Sequence, residues 1–427
     1  MGKPRKVLAK TDSGSRKRDF TMDSLLRWMS PHLDTCGLVA YDFPDTGRGL
    51  RATVPISAGS RLLRCAAPRC FTAARVSSHP AFRGAGELPK TAPLDCLVLF
   101  LMYEDSVGAS SPYAPYIASL PRTFTNPLYP FLLRDHDETS FGSGDSDVED
   151  LLRVQHGEYC KSWKNISAVT ASELGSLRGI FNKERFMWAW FVVATRSLYI
   201  DQQQPALVPF VDLLNHSPHA QVRIEWNAGG QTFEIFTETA YKAGDQVFIN
   251  YGAHDNNKLA VYYGFVCLDN PLVEVKLDWD YTLAVCPCLS EDKIKFLKSY
   301  GAYEPLVCSY TGFTFTSNLF LWIAFYDGQN YWSQLEKAEK MPTGERCKNA
   351  VLKLLRDELS LTKYRHYDNY SYRTNTPSLF QLLADEKASI LRANIDRLPS
   401  QCNCCDDDSC CDDGGGSPPD YDYMDTY

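Results

Sequence analysis

The chain of 427 residues contains no window of about 20 predominantly apolar residues, so it offers no membrane-spanning helix. Its first residues, MGKPRKVLAK, lack the apolar run of a secretory leader. A cytoplasmic or nuclear location is therefore expected, where the 15 cysteines stay reduced. There is no internal repeat, and the body carries no strong basic patch, so direct nucleic-acid binding is not expected. What is present is ordinary for a globular protein: 44% hydrophobic and 22% charged residues, enough for a sizeable core.

The formal net charge of −8 hides three zones. Residues 1–18 carry seven basic residues and one Asp, and read as a disordered basic arm. Residues 398–427 carry eight Asp and no Lys or Arg. Cys402, Cys404, Cys405, Cys410 and Cys411 lie in this Asp-rich tail, which reads as disordered rather than as a metal site. No metal is expected.

Between these ends, Phe20–Leu33 has helical spacing. Leu38–Ala40, Ala52–Ile56 and Leu62–Leu63 read as short strands, with Gly47–Leu50 as a turn between the first two. Cys96–Met102 reads as part of a buried helix, and Asp135–Asp150 as an exposed loop. Phe181–Ile200 is predicted helical, because Phe186, Met187, Trp190, Val193 and Ala194 fall close to one face. Strands are expected at Leu207–Leu214, Arg223–Trp226, Thr232–Thr237 and Gln246–Asn250. Helices are expected at Asp292–Tyr300, Leu319–Phe325, Trp332–Lys340, Glu345–Leu359 and Pro377–Arg397. Trp322, Phe325, Tyr326 and Trp332 are expected in the core of that helical half.

Three short segments carry polar or glycine residues where a packed strand would not need them. Thr46-Gly47-Arg48-Gly49-Leu50 lets the backbone approach a ligand closely. Asp212-Leu213-Leu214-Asn215-His216-Ser217 follows an apolar stretch, and buried Asn and His require hydrogen-bond partners. Val247–Ile249 leads into Asn250-Tyr251-Gly252, and Tyr262-Tyr263-Gly264-Phe265 adds aromatics able to line a pocket. Each segment alone is equally consistent with a turn or with core packing.

Taken in order, GRGL, DLLNHS, a strand ending in NYG, and YYGF resemble the SET methyltransferases. Leu63 and Phe210 lie 147 positions apart, which is similar to the branch that includes the plant Rubisco large-subunit lysine methyltransferase. The resemblance implies an α+β chain: a SET β-fold of short strands with a knot-like crossing and a helical insert, followed by an all-α domain that grips a protein substrate. The corresponding boundaries are 19–279 for the SET domain, with the insert at about 73–180, and 280–397 for the helical domain. It implies S-adenosyl-L-methionine as cofactor and a histone or non-histone protein as substrate, acted on by a monomer. Lysine is the expected acceptor, histidine the alternative, and a SET-fold module without catalysis the competing reading.

The same resemblance assigns roles. Tyr251 matches the catalytic tyrosine, and Phe265 with Tyr251 lines the substrate channel. Arg48, Gly49, Arg196, Asp212, Asn215, His216 and Tyr263 are implied to bind the cofactor; a planar guanidinium suits a carboxylate. Where the family often has Glu after the glycine of an N-terminal strand region, Gly59 is followed here by Ser60 and Arg61.

Overall fold

The computed structural model describes residues 6–7, 20–82, 92–124, 126, 128–129, 146–172, 180–200, 204–365 and 379–398. The acidic tail beyond Leu398, most of the basic arm, and residues 135–145 of the expected loop lie outside these. Inside the arm, Lys6–Val7 forms a strand antiparallel to Val266–Cys267.

Two four-stranded sheets draw their strands from residues 33–249. In one, Val222–Asn227, Thr232–Thr237, Arg61–Ala66 and Leu33–Asp34 lie side by side, all antiparallel. Val222–Asn227 alternates between half-buried and exposed positions, the period-2 pattern of a strand with one face in water. In the other, the order is Leu38–Phe43, Gly47–Ala52, Gln246–Ile249, Asn215–His216. Gly47–Leu50, expected as the turn, instead opens a strand. The turn falls at residues 44–46, and Gly47 takes the positive φ of 70°.

The insert is closed at its base by a third sheet, in which Phe71–Thr72 and Leu198–Ile200 both pair antiparallel with Gln204–Leu207. Within it, Pro93–Val107 is a buried helix with Pro at its start and Gly108 at φ 65° after its end. Ser146–Ser172 is a helix of 27 residues, so the expected loop gives way to helix from Ser146. The predicted helix 181–200 is shorter: Asn182 accepts from the Arg185 amide at 2.8 Å to cap it, and it stops at Arg196. Leu198–Ile200 goes to the third sheet instead.

Two apolar cores follow. The larger spans Met22 to Val266 and is rich in aromatics such as Phe71, Phe100, Tyr116, Phe186 and Phe191. The second spans Val273 to Leu391. The helix Leu379–Arg397 serves both, with Leu379 in the first core and Ile390 and Leu391 in the second. The C-terminal region is helical but not all-α. Val275–Lys276, Val307–Ser309 and Gly312–Phe313 form a three-stranded antiparallel sheet, too short for the apolar pattern to announce. The expected helix 332–340 is two short 3₁₀ turns, Tyr331–Gln334 and Glu336–Glu339. Trp332, expected in the core, is 67% exposed.

Candidate active site

The strand Gln246–Ile249 is the axis of the site. On one side it pairs antiparallel with Gly47–Ala52, and on the other parallel with Asn215–His216, Phe248 opposite Asn215 and Ile249 opposite His216. Parallel neighbours need a long connection between them, here residues 217–245. The crossing therefore gathers segments from three distant parts of the chain.

Hydrogen bonds lock this crossing. The Ser217 amide donates to the Ile249 carbonyl at 2.9 Å. The Tyr251 amide donates to His216 Nδ1 at 3.0 Å, which fixes that nitrogen as an acceptor. Asn215 Nδ2 donates to the Arg48 carbonyl at 3.1 Å. Thr46 and Gln246 exchange hydrogen bonds at 2.8 and 2.9 Å. Gly49 sits under this mesh: a Cβ there would lie 2.6 Å from both Asn215 Nδ2 and Gln246 Nε2, so only glycine fits without movement.

The approach to the crossing is strained. Phe210, fully buried, has φ 71° and ψ −41°, a region that bulky residues avoid. The kink starts the 3₁₀ turn Val211–Leu213, which delivers Asn215 and His216 to the strand position. The apolar pattern alone predicts one strand over 207–214, and nothing in that pattern marks this break.

Arg196 and Asp212 come together beside the turn. Arg196 Nη1 donates to the Asp212 carbonyl at 3.0 Å and lies 3.7 Å from its carboxylate. Tyr116 of the insert donates its hydroxyl to Asp212 Oδ2 at 3.1 Å. Burial raises the Asp212 pKa, opposed by the charge of Arg196. Asp212 thus directs its carboxylate inward, to Tyr116 and Arg196, and its side chain is only 3% exposed. Tyr116 carries no distinguishing mark in the sequence.

Four rings close a box over the crossing. Ring centroids are 5.1 Å apart for His216–Tyr251 and for Tyr251–Tyr263, 6.2 Å for Tyr263–Phe265 and 6.0 Å for His216–Phe265. Tyr251 donates its hydroxyl to the Leu214 carbonyl at 2.8 Å. Burial raises its pKa well above the ordinary phenol value, with Arg196 acting the other way. Burial likewise pushes Tyr263 up to about 12. Both stay neutral phenols at physiological pH. His254 stacks on Tyr263, at 6.0 Å and 29°. Gly264 has φ 80°, and a Cβ there would meet Asn126 at 2.9 Å; Asn126 in turn holds the Ala260 and Val261 carbonyls. Asn126 and His254 belong to the site's support, and no motif in the sequence singles them out.

The geometry thus gathers Arg48, Gly49, Asn215 and His216 around one crossing and closes it with Tyr251, Tyr263 and Phe265. Arg196 and Asp212 form its buried flank. Ser60 and Arg61 lie elsewhere: the Ser60 carbonyl accepts from the Thr237 amide, and Arg61 pairs with Asp34 at 3.0 Å. Among the described residues no group of three His, Cys, Asp or Glu could hold a metal ion, and no helix is long and apolar enough to cross a membrane.

Comparison with known proteins gives this arrangement its family. The SET domain matches residues 47–252, from the start of the strand Gly47–Ala52 to the glycine after Tyr251. SET domain-containing protein 4 of Mus musculus is 30% identical over 331 residues, covering 70% of this chain and 72% of that protein. The chain belongs to the SET-domain family. As a SET-domain protein it is a protein methyltransferase, the activity that its named methyltransferase relatives have in common. Actin-histidine N-methyltransferase of Danio rerio is 26% identical over 286 residues, covering 64% of this chain and 47% of that one. The crystal structure of the SET domain of LSMT bound to lysine and AdoHcy shares the SET fold, with a TM-score of 0.57 at 16% identity over 88% of this chain and 90% of that one. The SET fold implied by the resemblance is shared with this neighbour, and the structure adds the helical C-terminal region, with a small sheet in place of the expected all-α domain.

Proposed function

We propose that this chain is an S-adenosyl-L-methionine-dependent protein-lysine N-methyltransferase, with the ring box as its acceptor channel. The observation that carries the reading is Tyr251. Its hydroxyl proton is committed to the Leu214 carbonyl, which leaves the oxygen's lone pairs to act as acceptors. Such an oxygen accepts from an incoming amine and from polarised C–H groups, and aligns both.

The residues present suit the cofactor. The absence of a Cβ at Gly49 lets the Asn215 and Gln246 side chains close over its backbone and keep their places beside the site. Arg196 offers a guanidinium of the right chemistry for the methionine carboxylate. Arg48, Asn215 and His216 frame the space between. When bound, the cofactor supplies a methyl group on a sulfonium centre.

The protein's part is binding, orientation and water exclusion. In-line displacement needs a neutral amine held close and aligned. A lysine amine has a reference pKa of about 10.4, and burial between Tyr263 and Phe265 lowers it. The ammonium gives its proton to water as it enters, and Tyr251 then fixes the direction of the nitrogen lone pair. Asn215 and His216 tie the Arg48 strand to Tyr251, so the two ends of the site keep one geometry.

Lysine is also the molecule bound to the LSMT SET domain. Histidine is the second reading, favoured by the name of the Danio rerio relative. The test is transfer of a tritiated methyl group from the cofactor to proteins of a cell extract, comparing wild type with Tyr251→Phe. Bands seen only with wild type support the reading, and tandem mass spectrometry of those bands separates methyl-lysine from methyl-histidine. Equal labelling by both proteins removes Tyr251 from the chemistry.

A further inference from the structure

The box is not closed by the SET strands alone. Phe265 is followed by Val266–Cys267, and Cys267 is held at both its backbone groups by one side chain. Asn256, 1% exposed, accepts from the Cys267 amide at 3.0 Å through Oδ1 and donates Nδ2 to the Cys267 carbonyl at 2.7 Å. The same Nδ2 donates to both carboxylate oxygens of Glu386 at 2.8 Å. Asn270 Nδ2 adds a bond to Asn256 Oδ1 at 3.2 Å. Glu386 lies on the helix Leu379–Arg397, the element shared by both cores, and is 6% exposed. A chain of contacts thus runs from the C-terminal domain through Glu386 and Asn256 to Cys267, two residues from the Phe265 wall.

We propose that Glu386 is a positioning residue for the acceptor channel, holding Asn256 so that the Phe265–Cys267 segment keeps the shape an incoming side chain requires. The proposal rests on the methyltransferase reading above and adds to it a role for the C-terminal domain in the geometry of the channel.

The cost of this arrangement argues for a purpose. Burying a carboxylate is expensive, and burial pushes Glu386 up to about 7, with the negative charge of Asp255 adding to the rise and the Asn256 bond opposing it. Lys387, the adjacent cation, pairs with Glu358 at 2.9 Å. Tyr310, whose own pKa is raised in part by Glu386, faces it from the small sheet's loop. A crevice lined by Asp147, Asp255, Glu274 and Lys276 opens beside Glu386 and gives it a route for proton exchange. A neutral residue in this place would avoid the penalty. Above about pH 7 the ionised carboxylate offers two acceptor oxygens to Asn256; below it, one oxygen carries a proton and the hold on Asn256 is weaker.

The sign for stability is opposite. A carboxyl whose folded pKa lies above its unfolded value contributes stability that is present below about 4.5 and lost as pH rises through about 7. Activity and stability therefore separate, which makes the proposal testable with Glu386→Gln and Glu386→Ala in the full chain.

Glu386→Gln keeps an acceptor oxygen and loses the charge. It should melt at least as high as wild type at pH 8, and its kcat/KM for the protein acceptor should rise less steeply across pH 6–8 than that of wild type, the rise that remains being deprotonation of the acceptor amine. Glu386→Ala should raise KM for the protein acceptor or lower kcat by about tenfold or more. Its cofactor affinity by calorimetry should stay within twofold, and its Cys267 amide should exchange with deuterium about tenfold faster. A folded Glu386→Ala protein with unchanged exchange at Cys267, or with unchanged kcat/KM and pH profile, overturns the proposal. If wild type itself methylates nothing, the methyltransferase reading fails on its own, and the exchange rates still decide whether Glu386 holds Cys267.

Discussion

The crossing around Gln246–Ile249 and the C-terminal domain beyond Val273 are built on different principles. At the crossing, three distant segments meet through hydrogen bonds, each group aimed at a backbone atom or at one partner: Asn215 on Arg48, Tyr251 on Leu214, His216 on Tyr251. The backbone leading into the crossing is strained at Phe210. The C-terminal domain is instead held by an apolar core with capped helices: Thr314 accepts from the Ser317 amide, Ser290 from Lys293 and Asp278 from Tyr281. Directional bonds that tolerate little displacement belong where atoms must be placed to a fraction of an ångström. Non-directional burial suffices where a surface must merely persist.

That contrast is breakable at its buried flank first. Arg196→Ala leaves the Asp212 carboxylate buried with Tyr116 as its remaining side-chain partner. A loss of about 3–5 kcal/mol is expected, the cost of removing one member of a buried pair. Because the Arg196 charge opposes the burial that raises the Asp212 pKa, its removal raises that pKa further. The variant should therefore lose less stability at pH 5 than at pH 8. Chemical denaturation at the two pH values checks this; an equal loss at both would show that Asp212 does not change its protonation between them in the variant.

Tyr251→Phe comes next. Removing one preorganised hydrogen-bonding group from a reacting centre costs on the order of 10²-fold in kcat. Cofactor affinity, measured by calorimetry, should hardly change. A parallel fall in affinity would move Tyr251 from the channel to the cofactor's own contacts. Gly49→Ala should do the reverse, weakening cofactor binding by about tenfold through displacement of Asn215 or Gln246, with an overpacking penalty of about 1–3 kcal/mol. Unchanged affinity would place the ligand away from this strand.

How much of this is legible in the sequence follows the same divide. The segments GRGL, DLLNHS, NYG and YYGF announce the crossing, since Gly49, Asn215, His216 and Tyr251 are residue types a plain strand does not want, and their order is specific. The supports are silent. Tyr116 and Asn126 reach the site from the insert, and Asn256 pairs with Glu386 across 130 positions. No local period encodes such contacts, because each depends on where the chain returns. The strands of the C-terminal sheet, two or three residues each, are too short for any alternation to show. Leu198–Ile200 is hidden by the helix before it, because helical spacing of apolar residues runs on into a strand that pairs with Gln204–Leu207 just after it.

Trp332 sharpens the comparison from the other side. The general tendency of tryptophan to be buried predicts it in the core. In the structure it is 67% exposed and touches the edges of Phe296 and Tyr300, at 5.7 and 5.8 Å. Edge contacts of this kind contribute about 0.5–1.5 kcal/mol, and most of the indole is in water in any case. Trp332→Ala should therefore lower stability by about 1 kcal/mol or less, well below the expected cost at Arg196. Thermal unfolding checks the stability and KM for the protein acceptor the function. If KM also stays put, the exposed ring is a passive part of the surface, and acceptor recognition by the C-terminal domain lies elsewhere. If KM rises while stability holds, this aromatic cluster is where the domain grips its substrate, and the division between directional bonds at the crossing and apolar burial beyond it extends to how the two halves handle a bound protein.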